Sequence, residues 1–237
     1  MDHDDAQVGT ILSRRRALGL LGAGGGLAAA SLLGGNRGEA ASTALPSCVV
    51  RPAMTEGPFF VDEKLKRSDI RSDPATGKVE AGVPLALTFL VTRVGTGGCT
   101  PLKGVTVDIW HTNALGKYSD EQREGTGGQK FLRGNQTTDA SGRASFSTIY
   151  PGWYNGRTVH IHFKLRQGSA EFTSQLFFDE TLSDKVYALA PYNTRGSRTT
   201  RNAGDPIFTN GGHQLMLNAA PSGKGYAATF DVGLNLQ

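Results

Sequence analysis

Tyr150-Pro-Gly-Trp-Tyr-Asn-Gly-Arg-Thr-Val-His-Ile-His-Phe163 places Tyr154, Arg157, His160 and His162 within nine residues. In an extended strand successive side chains alternate between faces, so His160 and His162 share one face while Val159, Ile161 and Phe163 share the other. Two imidazoles on one face can grip one metal ion. Pro151-Gly152 and Asn155-Gly156 are turn signals, which puts Tyr154 and Arg157 on a bend leading into the strand, where the phenol can swing back over the histidine face. The bare His-x-His pattern also fits two histidines satisfied by ordinary hydrogen bonds, and the motif by itself leaves that alternative open.

The flanking sequence reads as strands and turns. Thirty-two glycines and ten prolines in 237 residues argue against a helical bundle and for many short strands. Upstream, Pro84–Thr92 is a β-branched and aromatic run, Val105–Trp110 alternates apolar and polar, and Ala144–Ile149 alternates again after a turn at Thr137–Arg143. Downstream, Thr158–Arg166 and Glu171–Phe178 flank Gln167-Gly-Ser-Ala170, read as a four-residue hairpin loop. That register sets Arg166 opposite Glu171 and His162 opposite Gln175, so Gln175 shares the histidine face. Two further alternating runs, His213–Leu217 and Tyr226–Val232, close the chain. The expected fold is all-β, an antiparallel β-sandwich with long functional loops.

Two irregular stretches interrupt this pattern. His111–Phe131 is rich in Gly, Asp and Asn without periodicity, and long loops of this kind tend to carry function. Tyr118 lies within it and, taken alone, reads as a half-buried loop tyrosine; His111 reads as a hydrogen-bonding or pocket-wall residue. Asp179–Thr209 is a second excursion, with Lys185, Arg195, Arg198 and Arg201 either solvated or set against an anionic substrate. Residues 42–60 read as extended and irregular, ending in Thr55-Glu-Gly-Pro-Phe-Phe60.

The N-terminal residues are not expected to belong to the fold. Ser13-Arg-Arg-Arg-Ala-Leu18 precedes an apolar, glycine-rich run reaching about Leu33, the charged-then-apolar order of an export signal. The paired arginines resemble a twin-arginine signal, a route for proteins exported already folded. Residues 1–41 are therefore assigned to the signal and 42–237 to one β-sandwich domain, destined for the periplasm or the exterior. Five glycines between residues 19 and 26 make a poor permanent membrane span. An oxidising destination allows Cys48 and Cys99 to pair, the alternative being two buried thiols. The formal charge of +4 is small and its basic residues are scattered past the N-terminus, so no nucleic-acid footprint is present.

Phosphate-binding, dinucleotide, Gly-x-Ser-x-Gly and His-Glu-x-x-His motifs are missing. What is present is Pro-Gly-x-Tyr followed by Gly-Arg-x-x-His-x-His at Pro151–His162, with Asp108-Ile-Trp110, Gly116-x-Tyr118 and Gln175-Leu-Phe-Phe178 in order around it. In these elements the chain resembles the intradiol ring-cleaving dioxygenases, the group of catechol and protocatechuate 3,4-dioxygenases. The resemblance implies one non-haem Fe(III) held by Tyr118, Tyr154, His160 and His162, with Tyr154 also serving as base and Arg157 and Gln175 orienting the substrate. It implies a catechol and O2 as substrates, a cis,cis-muconate-type product and no other cofactor. A hard trivalent cation suits phenolate oxygen and imidazole nitrogen, and two tyrosine ligands argue against a hydrolytic zinc. Residues 42–80 are too short and too rich in Pro and Gly to supply the helical dimerisation segment of catechol dioxygenases; homo-oligomerisation is left open. The competing reading is a secreted, transthyretin-like β-sandwich module that binds a ligand without chemistry.

Overall fold

The computed structural model describes residues 49–235. The expected signal and Cys48 lie outside them; Cys99 is buried and disulfide-bonded. Nine strands form the frame: β1 (Pro84–Gly95), β2 (Gly98–Pro101), β3 (Thr106–Trp110), β4 (Arg133–Thr137), β5 (Arg143–Ile149), β6 (His160–Gln167), β7 (Ala170–Phe177), β8 (Ala220–Ser222) and β9 (Gly225–Leu234). One sheet runs β2-β1-β9-β8 with β5 also paired to β1, and the other runs β4-β3-β6-β7. All pairings are antiparallel except β1 with β9, which is parallel.

Alternation builds the core between the sheets. In β1, Leu85, Leu87, Phe89 and Val91 are buried and face Ile161, Phe163 and Leu165 of β6. Phe163 is at the centre, with ring centroids 5.2 Å from Phe89 and 5.6 Å from Phe230. His160, His162 and Lys164 of β6 point the other way yet are also buried, because loops and the N-terminal segment cover the outer face of this sheet.

The β6–β7 hairpin has the expected register, with Arg166 opposite Glu171 and His162 opposite Gln175. Its loop is tighter than four residues: the strands run on to Gln167 and Ala170, and Gly168 takes φ 60° at the first turn position, as a two-residue type II′ turn requires. Extending both strands by one residue preserves the pairing. His213–Leu217, expected as a strand, is instead a single 3-10 turn at Gly212–Leu215, followed by a bridge from Met216 to Phe177. Gly211 at φ 109° turns the chain there, so Leu215 and Leu217 reach the core without strand geometry.

The second excursion contains α1 (Glu180–Tyr187), capped by Asp179, and the short α2 (Pro206–Thr209), capped by Asp205. Its arginines are structural. Arg198 and Arg201 pair with Glu180 and Asp184 of α1, while Arg195 lies 4.6 Å from the Trp153 ring centroid and donates to Leu115 O at 2.6 Å. Among the described residues no helix is long and apolar enough to cross a membrane.

His111, at the end of β3, links the two sheets. Its Nδ1 lies 2.8 Å from Thr112 O, an acceptor only, so Nδ1 carries the proton and Nε2 accepts from the Thr148 hydroxyl of β5 at 2.7 Å. With both nitrogens occupied it is no metal ligand, as the hydrogen-bonding reading expects. Burial pushes its pKa down to about 4, against about 6.5 in an unfolded chain. The unfolded state therefore takes up a proton first as pH falls, and this contribution to stability, complete above pH 6.5, is lost as pH drops towards 4. Urea unfolding of His111→Gln should show a pH slope between 6.5 and 4 shallower than the parent's by up to about 1.4 kcal/mol per pH unit; equal slopes would contradict this tautomer and burial. Phe163→Ala, which empties the centre of the sandwich, should lower unfolding free energy by about 3–5 kcal/mol in the same assay.

Candidate metal centre

The site lies on the outer face of the β4-β3-β6-β7 sheet. His162 has Trp110 of β3 opposite it on one side and Gln175 of β7 on the other. The Trp110 ring stacks on the His162 imidazole at 4.9 Å and 7°, and a Cβ at Gly57 would touch His162 Cε1 at 3.4 Å. His162 is thus sandwiched between strand neighbour and N-terminal segment. His160 is fixed differently: its Nδ1 lies 2.6 Å from Thr158 O, so Nδ1 donates and Nε2 turns a lone pair into the site.

Tyr118 arrives from the β3–β4 loop. Asn113 Oδ1 accepts from the backbone of Leu115 and Lys117, both at 3.1 Å, and winds the loop tightly. Gly116 has φ 73°, and a Cβ there would sit 2.0 Å from Trp153 O; a Cβ at Gly152 would sit 2.2 Å from Asn113 O. The two tyrosine-bearing loops therefore pack backbone to backbone, a closeness only glycine permits. Tyr118 N donates to Glu124 Oε2 at 2.8 Å, Thr126 Oγ1 donates to Tyr118 O at 2.6 Å, and Phe59 stacks on its ring at 4.3 Å. The side chain is fully buried rather than half-buried, because residues 54–60 lie over a loop that appears solvated when read alone.

Four donor atoms converge. Tyr118 Oη and Tyr154 Oη each lie 3.3 Å from His160 Nε2, and His162 Nε2 lies 3.1 Å from it. One imidazole lone pair cannot accept from three polar neighbours at once. Imidazole binds a metal at about 2.0–2.1 Å, so ligands near right angles stand roughly 3 Å apart, which is the spacing seen. A shared cation relieves the crowding, and the residues fit one.

Electrostatics point the same way. Burial drives both His160 and His162 well below the usual imidazole pKa, with Arg157 assisting for His160 and His160 itself for His162. Both imidazoles are therefore neutral, the form a metal needs. Burial also raises Tyr118 well above an ordinary phenol, with the Tyr154 charge adding to it, and raises Tyr154, against which the charge of Arg157 acts. Phenolates at these positions demand a strongly charged cation. Among the described residues no three His, Cys, Asp or Glu side chains gather, so a cation bound between His160 and His162 would need the tyrosines as further donors.

Arg157 and Gln175 meet each other: Arg157 Nη2 donates to Gln175 Oε1 at 2.5 Å, and Gln175 Nε2 donates to Thr55 O at 2.9 Å. The structure adds Asp205, fully buried and 3.0 Å from Arg157 Nε. Its only sequence signal is Asp-Pro at a helix start, which announces a cap and nothing more. Gly57 and Phe59 lie in the stretch that reads in sequence as extended and irregular, with nothing there to mark them as walls of the site.

Comparison with known proteins identifies the family. The dioxygenase family model matches residues 55–195. The chain is 33% identical over 159 residues to the protocatechuate 3,4-dioxygenase beta chain of Burkholderia cepacia, covering 60% of this chain and 67% of that one. It is 28% identical over 188 residues to the chlorocatechol 1,2-dioxygenase of Pseudomonas sp. strain P51, covering 70% and 67%. Among solved structures, the intradiol ring-cleavage dioxygenase of Tetranychus urticae superposes with TM-score 0.71 at 31% identity, over 79% of this chain and 95% of that one. With the two histidines, two tyrosines, arginine and glutamine of the motif gathered on one sheet face, and this match across more than half its length, the chain belongs to the intradiol ring-cleavage dioxygenase family of oxidoreductases.

Proposed function

We propose that this chain is a non-haem Fe(III) dioxygenase that opens a catechol between its two hydroxyl-bearing carbons, giving a cis,cis-muconate-type diacid. The observation that supports this most is the convergence of Tyr118 Oη, Tyr154 Oη and His162 Nε2 within 3.1–3.3 Å of His160 Nε2. These four residues would hold the iron. When bound, a ferric ion supplies the Lewis acidity that keeps both phenols ionised and draws electron density from a bound catecholate, making its ring carbon reactive towards O2.

The two tyrosines differ in setting, and so in task. Tyr118 is buried, with its backbone N–H and carbonyl both taken by Glu124 and Thr126, and it stays in place. Tyr154 is half-buried at a bend whose next residues, Asn155 and Gly156, are exposed. Its Oη is the one that can swing aside and take a proton from an incoming catechol hydroxyl, acting as general base. The positive charge of Arg157 lowers the cost of keeping that oxygen ionised beforehand. Gln175 fixes the guanidinium from the β7 side, so a substrate ring meets a charge already aimed. The N-terminal charged-then-apolar run supports export by the twin-arginine route and a phenolic substrate met outside the membrane.

Iron-loaded protein should be red to burgundy from phenolate-to-Fe(III) charge transfer, and full iron occupancy without a visible band would rule this reading out. Tyr118→Phe and Tyr154→Phe should each weaken and shift that band. His160→Ala should lower kcat/KM by more than the ~10–100-fold typical of an outer-shell partner, with loss of bound iron by metal analysis. In an oxygen electrode, one O2 should disappear per catechol with a muconate-type ultraviolet product; chelation of the iron should stop uptake and Fe(III) restore it.

A further inference from the structure

Asp205 lies on the loop after α1, far in sequence from the motif, yet its carboxylate is fully buried against it. Oδ2 accepts from Arg157 Nε at 3.0 Å and from Thr158 N at 2.9 Å, while Oδ1 accepts from Ile207 N at 2.8 Å and Phe208 N at 3.4 Å. A helix cap needs only one oxygen; the other is committed to the arginine of the site. Arg157 is thereby gripped on two edges, by Asp205 at Nε and by Gln175 at Nη2. Thr158 is gripped as well: its N–H goes to Asp205, its hydroxyl donates to Asn202 Oδ1 at 2.6 Å, and its carbonyl accepts from His160 Nδ1 at 2.6 Å. One carboxylate thus reaches both the guanidinium beside Tyr154 and the peptide that aims His160.

We propose that Asp205 is a positioning residue for the reaction: acting through Arg157, its carboxylate holds the guanidinium beside Tyr154 in its working place. This rests on the dioxygenase reading above. Without the carboxylate, Arg157 is a partly buried cation whose Nε–H has lost its acceptor, and it turns towards solvent or towards Tyr154. An amide at this position has one oxygen for two tasks. It can cap α2 or accept from Arg157, but not both, and its NH2 opposes the donor it replaces.

The test is a double-mutant cycle read by steady-state kinetics with catechol. Asp205→Asn should lower kcat/KM by ~100-fold, the scale of a misplaced active-site group, mostly in kcat. In an Arg157→Met background the same substitution should change kcat/KM less than ~3-fold, because coupled residues are not additive. An equal loss in both backgrounds, as general damage to the fold would give, overturns the proposal. A second measurement does not need the variant to fold. In the wild-type chain, kept metal-free so that no paramagnetic ion broadens it, the Arg157 Nε–H proton signal, assigned by its absence in Arg157→Met, should be protected from exchange with water. Rapid exchange there overturns the proposal whether or not Asp205→Asn is stable. A wild-type chain that consumes no O2 counts against the dioxygenase reading itself, and the exchange measurement then decides the Asp205–Arg157 contact alone.

Discussion

Everything in this protein depends on the two-residue period of β6. Ile161, Phe163 and Leu165 enter the sandwich, where Phe163 meets Phe89 and Phe230, and this burial forces His160 and His162 to the opposite face. A slip of one residue would bury both imidazoles in the apolar core and expose Phe163, so the register that stabilises the fold is the one that presents the two histidines together. The hydrophobic effect, which knows nothing of the site's chemistry, sets the direction in which the imidazoles point.

The strand supplies two donors, and the loops supply the rest under a separate constraint. Gly116 and Gly152 let the β3–β4 loop and the turn before β6 touch backbone to backbone. Tyr118 and Tyr154, 36 positions apart in sequence, are thereby held on one pair of interlocked turns. Neutral, deeply buried histidines and reluctant phenols make an environment that is poor for isolated charges and good for one concentrated positive charge.

The most local features of the fold were the most legible in the sequence. The His-x-His alternation and the Gln175 pairing follow from periodicity, and the register survived even though the hairpin loop is two residues tighter than the sequence suggests, because both strands lengthen together. The resemblance, rather than the loop's own composition, marked Tyr118 as a ligand; its burial depends on Phe59, more than fifty residues earlier, which no local pattern announces. Asp205 is the clearest case of the limit. Its neighbours announce a helix cap, and only the folded chain shows that its second oxygen belongs to Arg157. His213–Leu217 failed for the opposite reason: alternation was present, but Gly211 and Gly212 bent it into a turn. The parallel pairing of β1 with β9 is equally invisible, since alternation reports a strand's faces and not its direction.

The segment from Val50 to Phe60 ties these parts together in time as well as in space. Val50 bridges Gly233 of β9, Arg51 bonds to Asp231 O, Met54 N bonds to Thr173 O, and Phe59 then covers Tyr118. Residues made early on the ribosome thus find their partners in strands made much later. Until β7 and β9 are in place, this segment lacks the partners that hold it over His162 and Tyr118. The order of synthesis therefore leaves the face that carries His160 and His162 open until the later strands that hold residues 50–60 have been made.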